Sequence, residues 1–182
     1  WKKQGLDERA IYDKLFEMYN AQPRLDVRTS SVVMQQQYST PIPIAYIAGV
    51  LGHVNEKTVI YDPTAGNGLL GITANPKKFI ANELDPRRYK NLTILETRAH
   101  HGDALATHER NVYKAQEADT VLMNPPFGIM TDPQKIGNHV FKKIDHWIAV
   151  NNMDAMADKG RAVLILGAGN AHDAGKINQN EM

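Results

Sequence analysis

The stretch Thr58-Val59-Ile60-Tyr61-Asp62-Pro63-Thr64-Ala65-Gly66-Asn67-Gly68 decides how this chain folds. Its first four residues are β-branched or aromatic, which predicts a buried strand, and the run then breaks into a Gly-rich turn. Gly66 and Gly68 permit turn conformations and close backbone approach that a side chain would block, and Asp62 sets a carboxylate at the mouth of the resulting crevice. A second stretch has the same design. Asp119-Thr120-Val121-Leu122-Met123 predicts a strand, and Asn124-Pro125-Pro126-Phe127 follows it as a stiff loop, because proline continues neither a ladder nor a helix.

Strand and helix patterns alternate from Thr58 to Gly167, which predicts an α/β fold with a mostly parallel, doubly wound sheet and ligands at the carboxyl ends of its strands. Residues 78–82 form the second strand in this reading, with Glu83 at its end, where a carboxylate can accept hydrogen bonds from a ribose diol. Asp85-Pro86 then opens a helix with Tyr89, Leu92 and Leu95 at core spacing. Its other face, with Arg87, Arg88, Lys90 and Arg98, has the charge run of a solvated surface. Upstream, residues 6–20 predict a helix capped by Asp7, with Ile11, Leu15, Met18 and Tyr19 at helical spacing. Pro41 and Pro43 start another, with Ile44, Ile47, Ala48 and Leu51 as its apolar face and Gly52 as its stop. Downstream, Val140, Ile144, Trp147, Ile148 and Met156 predict a long amphipathic helix ending at Gly160, before a final strand over 161–167.

The chain has 182 residues, 42% hydrophobic and 23% charged, the size and balance of one globular domain. It contains no apolar run of about 20 residues and no signal-peptide pattern, so a soluble cytoplasmic protein without membrane partners is expected. The lack of cysteine excludes disulfides and thiolate catalysis. With a net charge of +1, any contact with nucleic acid has to be local. His100-His101-Gly102-Asp103 holds three possible metal ligands, but neighbouring side chains on a strand point to opposite faces and no further ligand motif is present. No metal site is expected.

Five segments in this order resemble the amino-methyltransferases that use S-adenosylmethionine (SAM), and most closely the N6-adenine DNA methyltransferases. They are Gln35-Gln36-Gln37-Tyr38-Ser39-Thr40-Pro41, the Asp62 to Gly68 loop, Asn82-Glu83-Leu84-Asp85-Pro86, His101-Gly102-Asp103-Ala104 and Asn124-Pro125-Pro126-Phe127. The resemblance implies a Rossmann-like SAM-methyltransferase fold and a cofactor site built from Tyr38, Thr40, Asp62, Thr64, Ala65, Gly66, Gly68, Glu83, Leu84, Asp103, Ala104 and Asn124. In that family the Tyr38 segment folds over the methionine end of the cofactor and Asp103 takes its adenine amine. The implied catalytic residues are Asn124, Pro125, Pro126 and Phe127, with Asn124 and the Pro125 carbonyl accepting the hydrogens of the target amine and Phe127 stacking on a flipped-out base. The implied reaction is methyl transfer to N6 of adenine, with DNA as the partner. The pattern is also similar to the methylase module of large phage and plasmid methylase-helicase proteins. It divides the chain into a helical extension over 1–34 and a methyltransferase domain over 35–182. The family's fold ends in two more strands, which residues 168–182 do not supply, and the chain opens on Trp1. A piece of a larger polypeptide with target-recognition or helicase domains is therefore expected.

Other readings stay open on the residues alone. Gly66-Asn67-Gly68-Leu69-Leu70-Gly71 satisfies Gly-x-Gly-x-x-Gly, so a nicotinamide- or flavin-binding domain is the rival from another class, although it gives no purpose to Asp62 or to Asn-Pro-Pro-Phe. Asn-Pro-Pro can be a rigid turn, and Tyr38 to Pro41 a turn and helix cap. Methylases of protein glutamine or of RNA guanine share Asn-Pro-Pro followed by Phe or Tyr. A module that keeps SAM binding without activity is a further alternative.

Overall fold

Residues 4–22, 39–107 and 111–167 are described by the computed structural model, so Tyr38, the glutamines before it and the tail from 168 lie outside the described residues. Five strands form a parallel sheet, apolar runs at its centre and more polar ones at its edges: β1 (Ile60–Asp62), β2 (Phe79–Glu83), β3 (Arg98–His101), β4 (Ala118–Met123), and, after the β5 (Ile129–Ile136) and β6 (His139–Lys143) hairpin, β7 (Met156–Leu164). The order across the sheet is β3-β2-β1-β4-β7. This is the Rossmann-like, mostly parallel arrangement expected from the sequence.

Period-two alternation splits the strands between two cores. Ile60, Ala81 and Leu122 pack on one face with Ala45 and Ala48 of α2 (Ile42–Leu51) and Leu92 of α3 (Pro86–Ile94). Tyr61, Ile80, Val121 and Met123 pack on the other with Ala149 of α4 (Ile144–Asn151). Helix α1 (Glu8–Asn20) docks on α2 through Ile11, Leu15 and Tyr46. Asp7 caps α1 and Asp85 caps α3, each carboxylate accepting from backbone N–H groups of the first turn. No helix among the described residues is long and apolar enough to cross a membrane.

Several expectations need correction. The long helix ending at Gly160 does not form: Val140 lies in β6, Met156 opens β7, and between them only residues 144–151 are α-helical, followed by a 3-10 turn at Met153–Ala155. Ile136-Gly137-Asn138-His139 makes a two-residue hairpin turn with Gly137 at φ 56°, a Gly-Asn signal that the helical spacing of the apolar residues masked. The buried face of α2 is Pro43, Ala45, Tyr46, Ala48 and Gly49, whereas Ile44, Ile47 and Leu51 are exposed. This helix is apolar nearly all round, so spacing could not choose its face. Small residues settle it, since a Cβ at Gly49 would meet the Thr73 hydroxyl. Met18, Tyr19 and Leu95 are likewise exposed rather than core. Between β1 and β2 there is no α-helix, only 3-10 turns at Leu69–Gly71 and Pro76–Lys78.

One buried amide joins the second core to the sheet. Asn152 is fully buried; its Oδ1 accepts from Tyr61 Oη at 2.7 Å and Thr107 Oγ1 at 2.5 Å, and its Nδ2 donates to the carbonyls of Ile148 (2.9 Å) and Ala104 (3.2 Å). Asn152→Leu would take their partner from the Tyr61 hydroxyl and the Ile148 carbonyl, while Thr107 Oγ1 keeps its 3.3 Å bond to Ala104 O. It should cost about 2 kcal/mol or more in urea unfolding, given about 1–3 kcal/mol per stranded buried group. A loss under about 1 kcal/mol would show that the network is dispensable.

Candidate functional site

The direction of chain progression reverses between β1 and β4. From β1 the chain moves outward through β2 and β3, then returns to place β4 beside β1 on the other side. A crevice forms outside the carboxyl ends at such a reversal. Asp62 ends β1 and Asn124 follows β4, so the two motifs face the same crevice although 62 residues apart in sequence.

Two connected cavities occupy this edge. The larger, about 210 Å³, is lined by Thr64, Glu83, Leu84, Asp103, Ala104, Asn124 and Pro126 among the expected residues. Arg88, Leu105, Ile144 and Ile148 also line it and were not expected there. The smaller, about 20 Å³, is lined by Thr40, Asp62, Thr64, Ala65, Gly66 and Asn124. Thr64 and Asn124 belong to both. Gly68, Pro125 and Phe127 line neither. Gly68, at φ 81°, makes the turn over Leu92, and Pro125 is buried. Phe127 is half-buried at the loop's far end, where a Cβ on Gly167 would lie 3.2 Å from its ring. Tyr38 lies outside the described residues.

Hydrogen bonds fix the walls. Asn82, fully buried, donates from Nδ2 to the carbonyls of Pro63 (2.8 Å) and Gly102 (3.0 Å), and its own carbonyl accepts from Ala65 N at 2.9 Å. Glu83 accepts from Gly66 N at 2.7 Å and Asp85 N at 2.8 Å. Asp103 accepts from Leu105 N at 2.9 Å, the turn bond that opens the next 3-10 segment. Asn124 donates from Nδ2 to Thr40 Oγ1 at 3.1 Å, which leaves its Oδ1 as the acceptor it can offer a ligand. Behind the loop, Gly128 O accepts from Ile144 N at 2.9 Å and buried Asp145 accepts from Gly167 N at 3.0 Å. The His101 ring stacks on Tyr89 and its Nε2 sits 3.0 Å from the Leu84 carbonyl.

Asp62 stands apart electrostatically. It is 1% exposed; Oδ1 accepts from Thr64 N at 2.9 Å, while Oδ2 has no hydrogen-bond partner among the described residues. Burial, far more than its neighbour Glu83, pushes its pKa up to about 7, and the Thr64 N–H pulls the other way. The site therefore holds a carboxyl group one of whose oxygens meets no cation or donor among the described residues.

No protein-family model and no curated protein matches the chain. Among solved structures, it is similar to a protein of Pyrococcus horikoshii described as an RNA methyltransferase, with 20% identity, a TM-score of 0.56, and coverage of 88% of this chain and 75% of that one. TrmN from Thermus thermophilus aligns with 22% identity over 57% of this chain and 35% of its own, at a TM-score of 0.39. At such identity the first likeness shows the fold: a mixed α/β, Rossmann-like domain of the kind found in methyltransferases.

The raised pKa of Asp62 gives a signed prediction. A carboxyl whose folded value lies above its unfolded value of 3.8 stabilises the fold at low pH, and that contribution is lost as pH rises through about 7. Charging this group therefore costs up to about 4 kcal/mol between pH 4 and 8. Asp62→Asn should gain stability relative to wild type between pH 5 and pH 8 in paired urea titrations. A stability difference that stays flat over that interval would place the Asp62 pKa at an ordinary value.

Proposed function

We propose that the chain is a SAM-dependent methyltransferase acting on the exocyclic amino group of a nucleobase, with N6 of adenine in DNA as the first acceptor to test. The observation that carries this reading is the meeting of two features at Thr64 and Asn124: a pocket with an unpartnered, buried Asp62 oxygen and the Asn-Pro-Pro-Phe loop. SAM fits the donor set. Its ammonium would supply the partner that Asp62 Oδ2 lacks, with Thr40 close by. Glu83 and Asp103 stand at strand ends where a carboxylate can accept from a ribose diol and from an adenine amine.

When bound, SAM supplies an electrophilic sulfonium methyl group. The protein's task is then to make a poor nucleophile competent. An aromatic amine has its lone pair delocalised into the ring, and two acceptors for its hydrogens localise that pair and aim it. Asn124 Oδ1 and the Pro125 carbonyl are suited to these roles, and the Thr40 bond orients the first of them. Pro125 and Pro126 keep the loop from relaxing. Phe127 is the aromatic face nearest to this loop, suited to stacking on the acceptor ring.

The dinucleotide reading is disfavoured by the turn itself. Pyrophosphate binding to Gly-x-Gly-x-x-Gly relies on an α-helix N-terminus directly after the loop, and here a three-residue 3-10 turn follows. A second reading within the methylases, with an RNA base as acceptor, is favoured by the description of the Pyrococcus structure. Calorimetry with SAM, S-adenosylhomocysteine and NAD tests the cofactor; binding of NAD alone would overturn the proposal. Labelled-methyl assays on unmethylated DNA, RNA and protein separate the acceptors. Asn124→Ala should lower turnover by about a hundredfold or more, with SAM affinity changed only a few-fold. A matching collapse in SAM affinity would move Asn124 from the acceptor to the cofactor.

A further inference from the structure

Beside the cofactor cleft lies a third cavity, about 700 Å³, between the β5–β6 hairpin and α4. Leu105 and Ile144 line both, so the two cavities adjoin at these side chains. Its remaining lining is Ile129, Met130, Trp147 and the polar group Thr131, Asp132, Gln134 and Asn151. Flat apolar surfaces and side chains that hydrogen-bond in a plane are what a nucleobase requires: stacking on its faces, donors and acceptors for its edge.

The hairpin carries the complementary charge. Over 129–143 it has three lysines, Lys135, Lys142 and Lys143, against one acid, Asp132, in a chain whose overall net charge is +1. Register places Gln134 opposite Phe141, whose ring lies 5.6 Å from Trp147, and Lys135 opposite Val140. Alternation then puts Lys135, Val140 and Lys142 on the outer face of a ribbon only two strands wide. Val140 is exposed on the face of these lysines, while Ile129, 85% exposed, and Ile136 are exposed on the cavity side of the ribbon.

We infer that the β5–β6 hairpin and Trp147 form a binding site for an unpaired nucleic-acid strand, with a base in the 700 Å³ cavity and phosphates on Lys135 and Lys142. The inference rests on the proposed methyl transfer to a nucleobase and names its substrate class: a strand whose bases are free to leave the stack. A paired base offers only its edge, whereas this cavity has apolar walls for a face. Cavity and lysines lie on opposite faces of the ribbon, so a strand that crosses its two-strand width sets a planar base on Trp147 and its phosphates on lysine, using both faces. An acidic peptide would use only the lysines.

The test uses fluorescence anisotropy with labelled single-stranded DNA and RNA 12-mers and the matching duplexes, with an aspartate-rich peptide as competitor. Either single strand should bind more tightly than its duplex, and which of the two binds better identifies the sugar. Lys135→Glu with Lys142→Glu should weaken binding about tenfold or more and flatten the salt dependence by about 0.7 per lysine removed. Calorimetric SAM affinity and urea stability of this variant should stay at wild-type values. In a Trp1→Phe background Trp147 is the sole tryptophan, and strand binding should quench it. Unchanged strand affinity in the double-lysine variant, unquenched Trp147 in the bound state, tighter duplex binding or equal competition by the peptide would each overturn the inference. Failure of the wild type to bind SAM in the same calorimetry would instead sink the methyl-transfer reading.

Discussion

A buried amide on the middle of three strands holds the site together. Asn82 is the last residue but one of β2, between β1 and β3, and reaches the backbone of the loops that follow both neighbours. Parallel strands deliver their loops to one edge of a sheet, where the ladder ends and backbone groups are left to find other partners. Asn82 supplies those partners from the inside, where water cannot compete and each bond counts for more. Asp62, Glu83 and Asp103, one from each loop, are thereby held in a fixed relation. The Thr40 to Asn124 bond does the corresponding work on the β4 side, fastening the Asn-Pro-Pro loop to the segment that enters α2.

The missing helix after β1 changes what the glycines are for. In a dinucleotide fold they clear space for phosphates beneath a helix N-terminus. Here Gly71 lies against the Phe79 ring, where a Cβ would come within 2.4 Å, and Gly68 sits over Leu92 with a positive φ. Only Gly66 turns its backbone to the cavity, and its N–H is occupied by Glu83. Glu83, expected from the sequence to accept from a ribose diol, thus also staples the Gly-rich loop. Each carboxylate oxygen still has a second lone pair, so this bracing and a role toward a diol are compatible.

Strands, their terminal acids and their parallel order were legible because β-branched runs ending in Asp-Pro, Glu-Leu-Asp-Pro or Asn-Pro-Pro have few other ways to fold. Side chains that depend on tertiary neighbours were not. Val140, Ile144, Trp147 and Ile148 fall at helical spacing, yet Val140 belongs to a strand, since Gly137-Asn138 turns the chain before the helix begins. Pro133 lies inside β5, where it is tolerated on a two-stranded ribbon with open edges. Gly160 ended the expected helix and instead sits in an irregular part of β7, where residues between Met156 and Arg161 leave register with β4 and a Cβ would crowd Asp119 O. Arg88 looked like one cation of a solvated face. Its place on the cleft wall depends on how α3 packs, which no single-residue pattern encodes.

Stability and binding pull in opposite directions at Asp62. A carboxylate with one unpartnered oxygen in a dry site destabilises the fold once it ionises, and nothing among the described residues relieves it. A neutral asparagine there would hold the loop through the same Thr64 contact without the charge penalty. Retaining an acid makes sense only if something cationic enters the pocket and completes its bonding. Such a ligand would bind more tightly as Asp62 ionises, over the pH interval in which the empty protein is weakened. Local energetic disadvantages of this kind concentrate where a protein does its work, and at this sheet edge the disadvantage falls on the residue that ends β1, beside the loop that follows β4.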